Sequence, residues 1–288
     1  MEVRFGSTGI KTSALGLGCD RLGSTLTQLS HEQSLSLLNT AYDLGIRHFD
    51  TASIYGQGDS ERYIGQAFQG RRDRVCLATK AGQRLSAVQA IAAKFKTPIR
   101  WLVRVRGSIR EKVGRERAAG LNYCFDPTFI ESSLNGSLKR LRTDRVDIFY
   151  LHSPPIDALG DRRLMALMQG LRRDNRIGAI GVSCDDLDLA LAAAKHPVIE
   201  VLQYDLVENQ RCREVLAAAA TNGKVSLVRG IARNASRLPG NCEANLVSGF
   251  RSALAKPSVN GVISGTTNVQ HLRANVIAFD RAATNEEA

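Results

Sequence analysis

Residues 49–68 read FDTASIYGQGDSERYIGQAF and pass through three kinds of local sequence. The stretch opens as the end of a short apolar run typical of a buried strand, becomes polar like a loop, and from Glu61 to Gln69 has the spacing of an amphipathic helix. Asp50 and Tyr55 lie where the strand passes into the loop. A carboxylate and a phenol at such a point suggest chemistry, although an N-capping carboxylate and a packing tyrosine would give the same pattern.

The same strand–loop–helix unit is repeated along the chain. Eight strands, each followed by a helical pattern, indicate a parallel (β/α)₈ TIM barrel of the α/β class. The alternative is an open doubly wound sheet, which would need GxGxxG after the first strand. Here that strand runs into GLGCDRLG at 16–23, which has a different spacing. The strands are expected at 14–17, 47–50, 75–80, 146–151, 179–183, 198–203, 224–228 and 259–264.

Two helices carry clear start signals. Ser30 and Gln33 have the spacing of a capping box ahead of the first helix. Asp126 followed by Pro127 gives an N-cap with proline at the first helical position. We therefore expect helices to begin at both places.

Residues 1–288 are expected to form a single domain, because single α/β barrels commonly have this length, although length alone would allow two domains. The chain is 43% hydrophobic, and it has no run of 18 apolar residues, so no membrane span and no integral membrane contact are expected. Its start lacks the basic segment and apolar run of a secretory signal.

The six cysteines are scattered without a CxxC pair, as in reduced thiols of a cytoplasmic protein. The five histidines are dispersed without HxH or HExxH spacing, so no metal site is predicted.

The positive charge is concentrated in one segment. The formal charge of the chain is +11, and residues 94–117 hold nine lysines and arginines against two glutamates, a net charge of +7. Because the rest of the chain is only mildly basic, a nucleic-acid partner is not expected. Residues 83–123 are interpreted as a basic insertion in the barrel. It is either a solvated amphipathic helix or a lid that recruits an anionic substrate or a partner.

Ionisable and polar side chains stand at the carboxyl ends of successive predicted strands, where barrels of this type carry their chemistry. A single lysine or histidine at a strand end has ordinary structural explanations. Four ionisable groups on three neighbouring strand ends are costly to bury unless they pair with one another. They are Asp50 and Tyr55 after the second strand, Lys80 after the third and His152 after the fourth, followed by Ser183 and Gln203 after the fifth and sixth.

This set suits proton transfer to a carbonyl oxygen. An ammonium such as Lys80 lowers the pKa of a nearby phenol, and a carboxylate such as Asp50 keeps that ammonium charged. A histidine can bind and orient the same carbonyl oxygen. Since no side chain can supply a hydride, reduction would need a nicotinamide cofactor.

The chain resembles the aldo-keto reductases. The resemblance implies that Tyr55 is the general acid and base, that Asp50 and Lys80 tune it, and that His152 positions the substrate carbonyl. The motifs that carry it span nearly the whole chain: GLGCDRLG (16–23), FDTASIYGQGDSERYIGQAF (49–68), VCLATK (75–80), LRTDRVDIFYLHSP (141–154), RIGAIGVS (176–183) and VNGVISGTTNVQHLRAN (259–275).

The resemblance also implies an extended NADP(H) molecule across the barrel mouth. Ser183 and Gln203 match positions that hold the nicotinamide carboxamide, and Arg229 lies where many members place an aromatic ring under the nicotinamide. The adenosine phosphate end is expected at the segment after the eighth strand, where a helix N-terminus offers N–H groups. Its matching residues are Gly265, Thr266, Thr267, Asn268, His271 and Asn275.

The chain departs from the family pattern at several places around the mouth. Cys184 replaces the usual asparagine after GVS. Asp20 and Arg21 occupy a loop that usually carries apolar or aromatic residues, which indicates either a polar substrate or a pair that neutralises itself. Arg273, near the start of the last helix, is a candidate for a 2′-phosphate.

The sequence therefore predicts an NADPH-dependent enzyme that reduces an aldehyde or ketone, with a small-molecule carbonyl compound as its substrate. The alternative is a nucleotide-binding regulatory subunit on the same barrel, with negligible turnover. The substrate and the oligomeric state remain open at this stage.

Overall fold

The computed structural model describes residues 2–24, 29–85 and 121–284. The strands in this part of the chain are β1 (Glu2–Arg4), β2 (Lys11–Ser13), β3 (Leu15–Gly18), β4 (His48–Asp50), β5 (Cys76–Ala81), β6 (Gln83–Leu85), β7 (Leu121–Tyr123), β8 (Val146–His152), β9 (Ile177–Ser183), β10 (Val201–Asp205), β11 (Val225–Arg229) and β12 (Val259–Gly265). The helices are α1 (His31–Asp43), α2 (Asp59–Ala67), α3 (Pro127–Leu141), α4 (Arg162–Arg173), α5 (Leu187–Lys195), α6 (Gln210–Thr221), α7 (Ile231–Ala235), α8 (Cys242–Leu254) and α9 (Val269–Ala283).

Eight parallel strands close into a barrel, which confirms the predicted (β/α)₈ fold. The order around the ring is β10, β11, β12, β3, β4, β5, β8 and β9. Closure comes from β12 and β3, where Val262 is the partner of Leu15 and Gly265 is the partner of Gly18. The strands therefore direct their carboxyl ends, and the residues that follow them, to one mouth of the barrel.

Both predicted helix starts are confirmed. The Ser30 hydroxyl accepts the N–H of Gln33 at 3.2 Å, and the Gln33 side chain accepts the N–H of Ser30 at 2.8 Å. Asp126 accepts the N–H of Thr128 at 2.9 Å, and Pro127 is the first residue of α3. These contacts satisfy N–H groups that have no partner within the helix.

An antiparallel hairpin closes the amino end of the barrel. Its strands β1 and β2 pair from Glu2–Ser13 to Arg4–Lys11. Phe5, directly after β1, is fully buried in an apolar cluster with interior residues such as Ile148 and Val225. The hairpin is absent from the sequence-based prediction, because three-residue strands are too short to show a periodicity.

Alternation along β5 sorts its side chains between two layers. Cys76 and Ala78 belong to the apolar cluster inside the barrel, so Lys80, two residues further on, also points inward. Leu77 belongs to the outer core between the barrel and its helices, and Thr79 lies on the same outer side. This separation places Lys80 in the mouth and Thr79 against the helices.

The two ends of the predicted insertion form an antiparallel ribbon. Gln83 is the partner of Tyr123, and Leu85 is the partner of Leu121. Residues 86–120, which carry the predicted basic helix or lid, lie outside the described residues. In the part of the chain that the structure describes, no helix is both long and apolar enough to cross a membrane.

We expect the barrel to fold when residues 86–120 are replaced by an Asn-Gly turn. Leu85 and Leu121 are direct partners, so a two-residue turn can connect β6 to β7 without moving either strand. Thermal unfolding followed by circular dichroism should remain cooperative, with a midpoint close to that of the full chain. Loss of the cooperative transition would instead show that residues 86–120 pack against the barrel.

Candidate active site

A buried ion pair lies at the centre of the barrel mouth. The Nζ atom of Lys80 is 2.6 Å from Oδ2 of Asp50 and also donates to the carbonyl oxygen of Thr51 at 2.9 Å. Lys80 is fully buried and Asp50 is 4% exposed. The pair joins the ends of the neighbouring strands β4 and β5, as the strand-end positions of these residues predicted.

One amide and one hydroxyl continue this network across the mouth. Nε2 of Gln203 donates to Oδ1 of Asp50 at 2.8 Å, and the Ser183 hydroxyl donates to Oε1 of Gln203 at 2.7 Å. Both residues are buried. The structure therefore brings Ser183 and Gln203 into the same network as Asp50 and Lys80. Their predicted role toward a nicotinamide carboxamide stays a prediction.

Tyr55 and His152 lie beside the ion pair. Their rings meet edge to face with centroids 5.9 Å apart, and Nζ of Lys80 is 5.2 Å from the Tyr55 ring centroid. All four predicted catalytic residues are thus gathered at one place.

A tight turn holds Tyr55 in this position. Tyr55 begins a 3-10 turn, and the next three residues, Gly56, Gln57 and Gly58, all have left-handed backbones. A Cβ atom at Gly56 would come within 2.7 Å of the carbonyl oxygen of Leu22. Only glycine permits that approach at a positive φ. The glycines of YGQG in the motif are therefore required for the path of the chain that presents Tyr55.

The surroundings of Tyr55 differ from the expectation that Lys80 lowers its pKa. The pKa of Tyr55, a half-buried residue, is raised first by desolvation and then by the nearby carboxylates of Asp50 and Asp20. Arg229 opposes this effect. The charge of Lys80 is directed at Asp50. The Tyr55 phenol consequently stays protonated at neutral pH.

Burial also shifts the two basic groups of the site. The pKa of Lys80 is lowered by desolvation, an effect that the charge of Asp50 and its hydrogen bond oppose. The pKa of His152 is lowered by desolvation and by the positive charges of Lys80 and Arg229. His152 is therefore a neutral imidazole that can donate one hydrogen bond.

A cleft of about 590 Å³ extends from Tyr55 and Asp50 over the ends of β11 and β12 to α9. Of the predicted cofactor residues, Arg229, Gly265, Thr266, His271 and Asn275 line it. The other four do not line it: Ser183 and Gln203 are buried behind Asp50, and Thr267 and Asn268 lie in the turn before α9.

Two of the N–H groups at the start of α9 are bonded to a side chain of the protein, and the predicted role of this helix start toward a cofactor stays a prediction. The Asn268 side chain accepts the N–H of Gln270 at 2.7 Å and that of His271 at 3.2 Å. Asn268 is thus the N-cap of its own helix. The Asn275 side chain, which is buried, donates to the Ser264 hydroxyl at 2.9 Å and so connects α9 to β12.

Arg229 is engaged by carboxylates at the mouth. Its Nη2 atom lies 2.6 Å from Asp185 and donates to the carbonyl oxygen of Cys184 at 3.0 Å, while Nε is 3.4 Å from Asp205. The predicted stacking of this guanidinium under a nicotinamide would therefore compete with its present partners. Asp20 and Arg21 are exposed and line the same cleft, so the mouth is polar.

Several residues of the site are missed by the sequence analysis. Ser60 and Glu61, on the first turn of α2, are fully buried next to the network. They share a helix face with Ile64, so their spacing was a usable signal of burial. His48 lies two residues before Asp50, so its side chain points into the barrel as that of Asp50 does. It is 1% exposed.

No metal centre is found among residues 2–24, 29–85 and 121–284, where no three histidine, cysteine or acidic side chains come together to hold an ion. A second cleft, of about 720 Å³, lies at the amino end of the barrel and contains none of the predicted site residues.

Comparison with known sequences identifies one family. A family model described as the aldo/keto reductase family matches residues 14–231. The chain is 29% identical to a D-threo-aldose 1-dehydrogenase of a Pseudomonas species over 228 residues, which cover 77% of this chain and 66% of that protein. It is 25% identical to YqkF, an uncharacterized oxidoreductase of Bacillus subtilis, over 99% of this chain and 92% of that protein.

Comparison with solved structures also finds aldo-keto reductases. A putative aldo-keto reductase from Pseudomonas aeruginosa superposes with a TM-score of 0.77 at 25% identity, covering 98% of this chain and 96% of that one. An aldo-keto reductase from Klebsiella pneumoniae, solved in complex with NADP and acetate, has a TM-score of 0.67 at 20% identity over 97% and 89% of the two chains. The second likeness shows the fold alone.

We predict that His48 makes the protein less stable as the pH falls. Burial lowers the pKa of His48 from 6.5 to about 4. Since the unfolded chain binds this proton first, stability present above the unfolded pKa is lost as the pH falls toward the folded pKa. Between about pH 7 and pH 5 this loss amounts to about 2 kcal/mol.

Chemical denaturation of the wild type and of His48→Leu at both pH values measures this difference. The buried His152 contributes equally in the two proteins, so the wild type should lose about 2 kcal/mol more than the variant. Equal losses would contradict the neutral, buried state of His48.

Proposed function

The chain belongs to the aldo/keto reductase family, and on this basis we propose that it is an NADP(H)-dependent oxidoreductase that reduces an aldehyde or a ketone to an alcohol. The observation that carries the proposal is the gathering of Tyr55, His152, Lys80 and Asp50 at one barrel mouth that opens into a long cleft. Tyr55 is assigned as the proton donor. The substrate is a small carbonyl compound that enters a polar mouth.

The residues at the mouth suit the transfer of a proton to a carbonyl oxygen. Tyr55 holds its proton at neutral pH, as a phenol does at its ordinary pKa and more firmly where that pKa is raised, so it is present as the acid. The neutral His152 can donate a hydrogen bond to the same oxygen and set its direction toward the Tyr55 hydroxyl. Lys80 supplies a fixed positive charge 5.2 Å from the Tyr55 ring, which stabilises the phenolate left after transfer.

The cleft has features that fit a nicotinamide dinucleotide. Its floor includes Gly18 and Gly265, which are partners on adjacent strands and leave backbone exposed. A Cβ at Gly265 would approach Asp20 to 3.3 Å and narrow this floor. Arg21, Arg233 and His271 also line the cleft and can meet phosphate charge. When bound, NADPH supplies the hydride that none of these side chains can provide.

Within this proposal, Ser183 and Gln203 hold the carboxamide end and Asn275 the adenosine end. Ser183 and Gln203 are already oriented by their hydrogen bonds to each other and to Asp50. Membership of the aldo/keto reductase family supports the choice of cofactor. The direct test is the loss of NADPH absorbance in the presence of a panel of aldehydes and ketones. No oxidation with any of them, in a protein that binds NADPH, would refute the reductase and favour a regulatory role.

Tyr55→Phe is expected to abolish carbonyl reduction. The hydroxyl carries the proton, whereas the ring that packs against His152 remains. We expect the turnover rate to fall roughly 10²- to 10⁴-fold. The dissociation constant of NADPH, measured by fluorescence titration, should be unchanged. A turnover rate within a few-fold of the wild type would remove Tyr55 from the mechanism.

NADPH is expected to bind more tightly than NADH. Arg273 is exposed on the first turns of α9 and carries the charge that a 2′-phosphate would meet. Arg273→Ala should weaken NADPH binding by roughly tenfold, the size of one charge-assisted hydrogen bond, and leave NADH binding unchanged. Titration of both proteins with both cofactors at physiological salt checks this. Equal weakening for NADPH and NADH would mean that Arg273 does not meet the 2′-phosphate.

A further inference from the structure

The first turn of α2 is hydrogen-bonded to the strand that ends in Asp50. The Ser60 hydroxyl donates to the carbonyl oxygen of Cys19 at 2.8 Å and lies 2.8 Å from the Thr51 hydroxyl. Since Ser60 has a single hydroxyl proton, Thr51 is the donor in the second contact. Thr51 directly follows Asp50, and its carbonyl oxygen accepts from Lys80 at 2.9 Å. Ser60 therefore holds the chain at the point where Asp50 leaves the barrel.

The next residue of the same helix is bonded to the strand that carries Lys80. Oε1 of Glu61 accepts the hydroxyl proton of Thr79 at 2.7 Å, and Thr79 directly precedes Lys80. Oε2 of Glu61 accepts from Nε of Arg140, on α3, at 2.5 Å. Glu61 is fully buried, so both of its oxygens need these donors.

Arg140, which binds Glu61, also contacts the turn that presents Tyr55. A Cβ at Gly58, which has a φ of +87°, would lie 2.6 Å from Cδ of Arg140 and 2.9 Å from its Nε. Gly58 ends the turn that Tyr55 begins. The Arg140 side chain is thus packed directly on the backbone of this turn, and any larger residue at Gly58 would displace it.

We propose that Glu61, with Arg140 and Thr79, is a positioning residue for the reaction, and this rests on the proposed function. The three side chains, named here the α2 cluster, join the neighbour of Lys80 to the turn of Tyr55. Their contacts fix the distance between the ammonium and the phenol. The polar partners of the Glu61 carboxylate are Thr79 and Arg140, and neither is one of the four predicted catalytic residues, so Glu61 acts through the backbone on either side of them.

Strand β5, which carries Thr79 and Lys80, offers a matched control near its amino end. Asp147 forms an ion pair with Arg72 at 2.8 Å and accepts the N–H of Leu77, on β5, at 2.7 Å. This pair also ties β5 to its neighbours, but it lies toward the amino end of the barrel, and Leu77 is three residues before Lys80 on the strand. Asp147→Asn therefore weakens the attachment of β5 without changing the α2 cluster.

Two substitutions at Thr79 separate positioning from plain stability. Thr79→Val keeps the shape and removes the hydroxyl that Glu61 accepts, whereas Thr79→Ser keeps the hydroxyl and removes a methyl group. Because small misplacements of reacting groups are costly, we expect Thr79→Val to lower kcat roughly tenfold or more at nearly constant KM. Thr79→Ser should keep the wild-type kcat. Glu61→Gln, which loses the ion pair, should lower kcat at least as far as Thr79→Val does.

The comparison with Asp147→Asn decides the interpretation. We expect this control to lower the thermal midpoint while kcat stays at the wild-type value. If Thr79→Val keeps the wild-type kcat, or if Asp147→Asn lowers kcat as much, the α2 cluster stabilises the fold and nothing more. Should Glu61→Gln fail to fold, the two Thr79 variants still give the answer.

A second measurement does not depend on activity. Hydrogen exchange of residues 51–58, followed by mass spectrometry, reports opening of the Tyr55 turn. Thr79→Val should exchange faster there than the wild type, and Thr79→Ser and Asp147→Asn should not. Unchanged exchange in Thr79→Val overturns the proposal. If the wild type reduces no carbonyl compound, the proposed function fails, and the exchange data still test the positioning of the turn.

Discussion

The buried ion pair between Asp50 and Lys80 is the constraint around which the barrel mouth is built. Taking two charges out of water costs several kcal/mol for each, and their attraction offsets this only when the remaining polar atoms are also bonded. Asp50 has a donor on each oxygen, Lys80 on one and Gln203 on the other, and Lys80 has a second acceptor in the Thr51 carbonyl. Each of these partners is therefore required.

Asp50 and its partner Gln203 come from opposite sides of the barrel. Asp50 ends β4 and Gln203 lies on β10, and these two strands are separated by three others in either direction. A hydrogen bond of 2.8 Å between them crosses the barrel interior. Such a contact is possible only in a closed, narrow barrel. Closure by the β12–β3 pairing thus supports the hydrogen-bond network at the mouth as well as the stability of the fold.

The layer beneath the pair is shaped by small residues and kept free of further charge. A Cβ at Gly181 would lie 2.4 Å from the Tyr150 ring, and one at Gly16 would lie 2.6 Å from Cδ1 of Ile263. These glycines leave room for large side chains inside the ring. His48 lies in the same layer and is neutral at physiological pH, because burial lowers its pKa to about 4. A second cation beneath Lys80 is thereby avoided.

The sequence predicted two kinds of feature: elements long enough to show a hydrophobic period, and residues that stand at the ends of predicted strands. Long elements such as α3 and β8 were located from their apolar spacing, and the four residues at the mouth were located by the rule for barrel strands. Three-residue strands such as β1 carry no period, so the hairpin was missed. The bond between Glu61 and Arg140 joins residues 79 positions apart, and no local pattern reports it. The N-cap role of Asn268 was not predicted, although an asparagine before an apolar run is itself an N-cap signal, and its role toward a cofactor stays a prediction.

The charged groups around Tyr55 act on the pKa of its phenol in opposite directions. Asp50, Asp20 and Asp185 each raise the pKa of the phenol, and Arg229, the cation that opposes them, is shared with Asp185 and with Asp205. A phenol in this setting keeps its proton until a developing negative charge on a bound carbonyl oxygen draws it away. Under the proposed function, the same carboxylates disfavour the phenolate left after the transfer, whereas Arg229 and the ammonium of Lys80, 5.2 Å from the Tyr55 ring, oppose that effect. The Asp50–Lys80 pair therefore acts on Tyr55 through both of its charges, in either direction of the reaction.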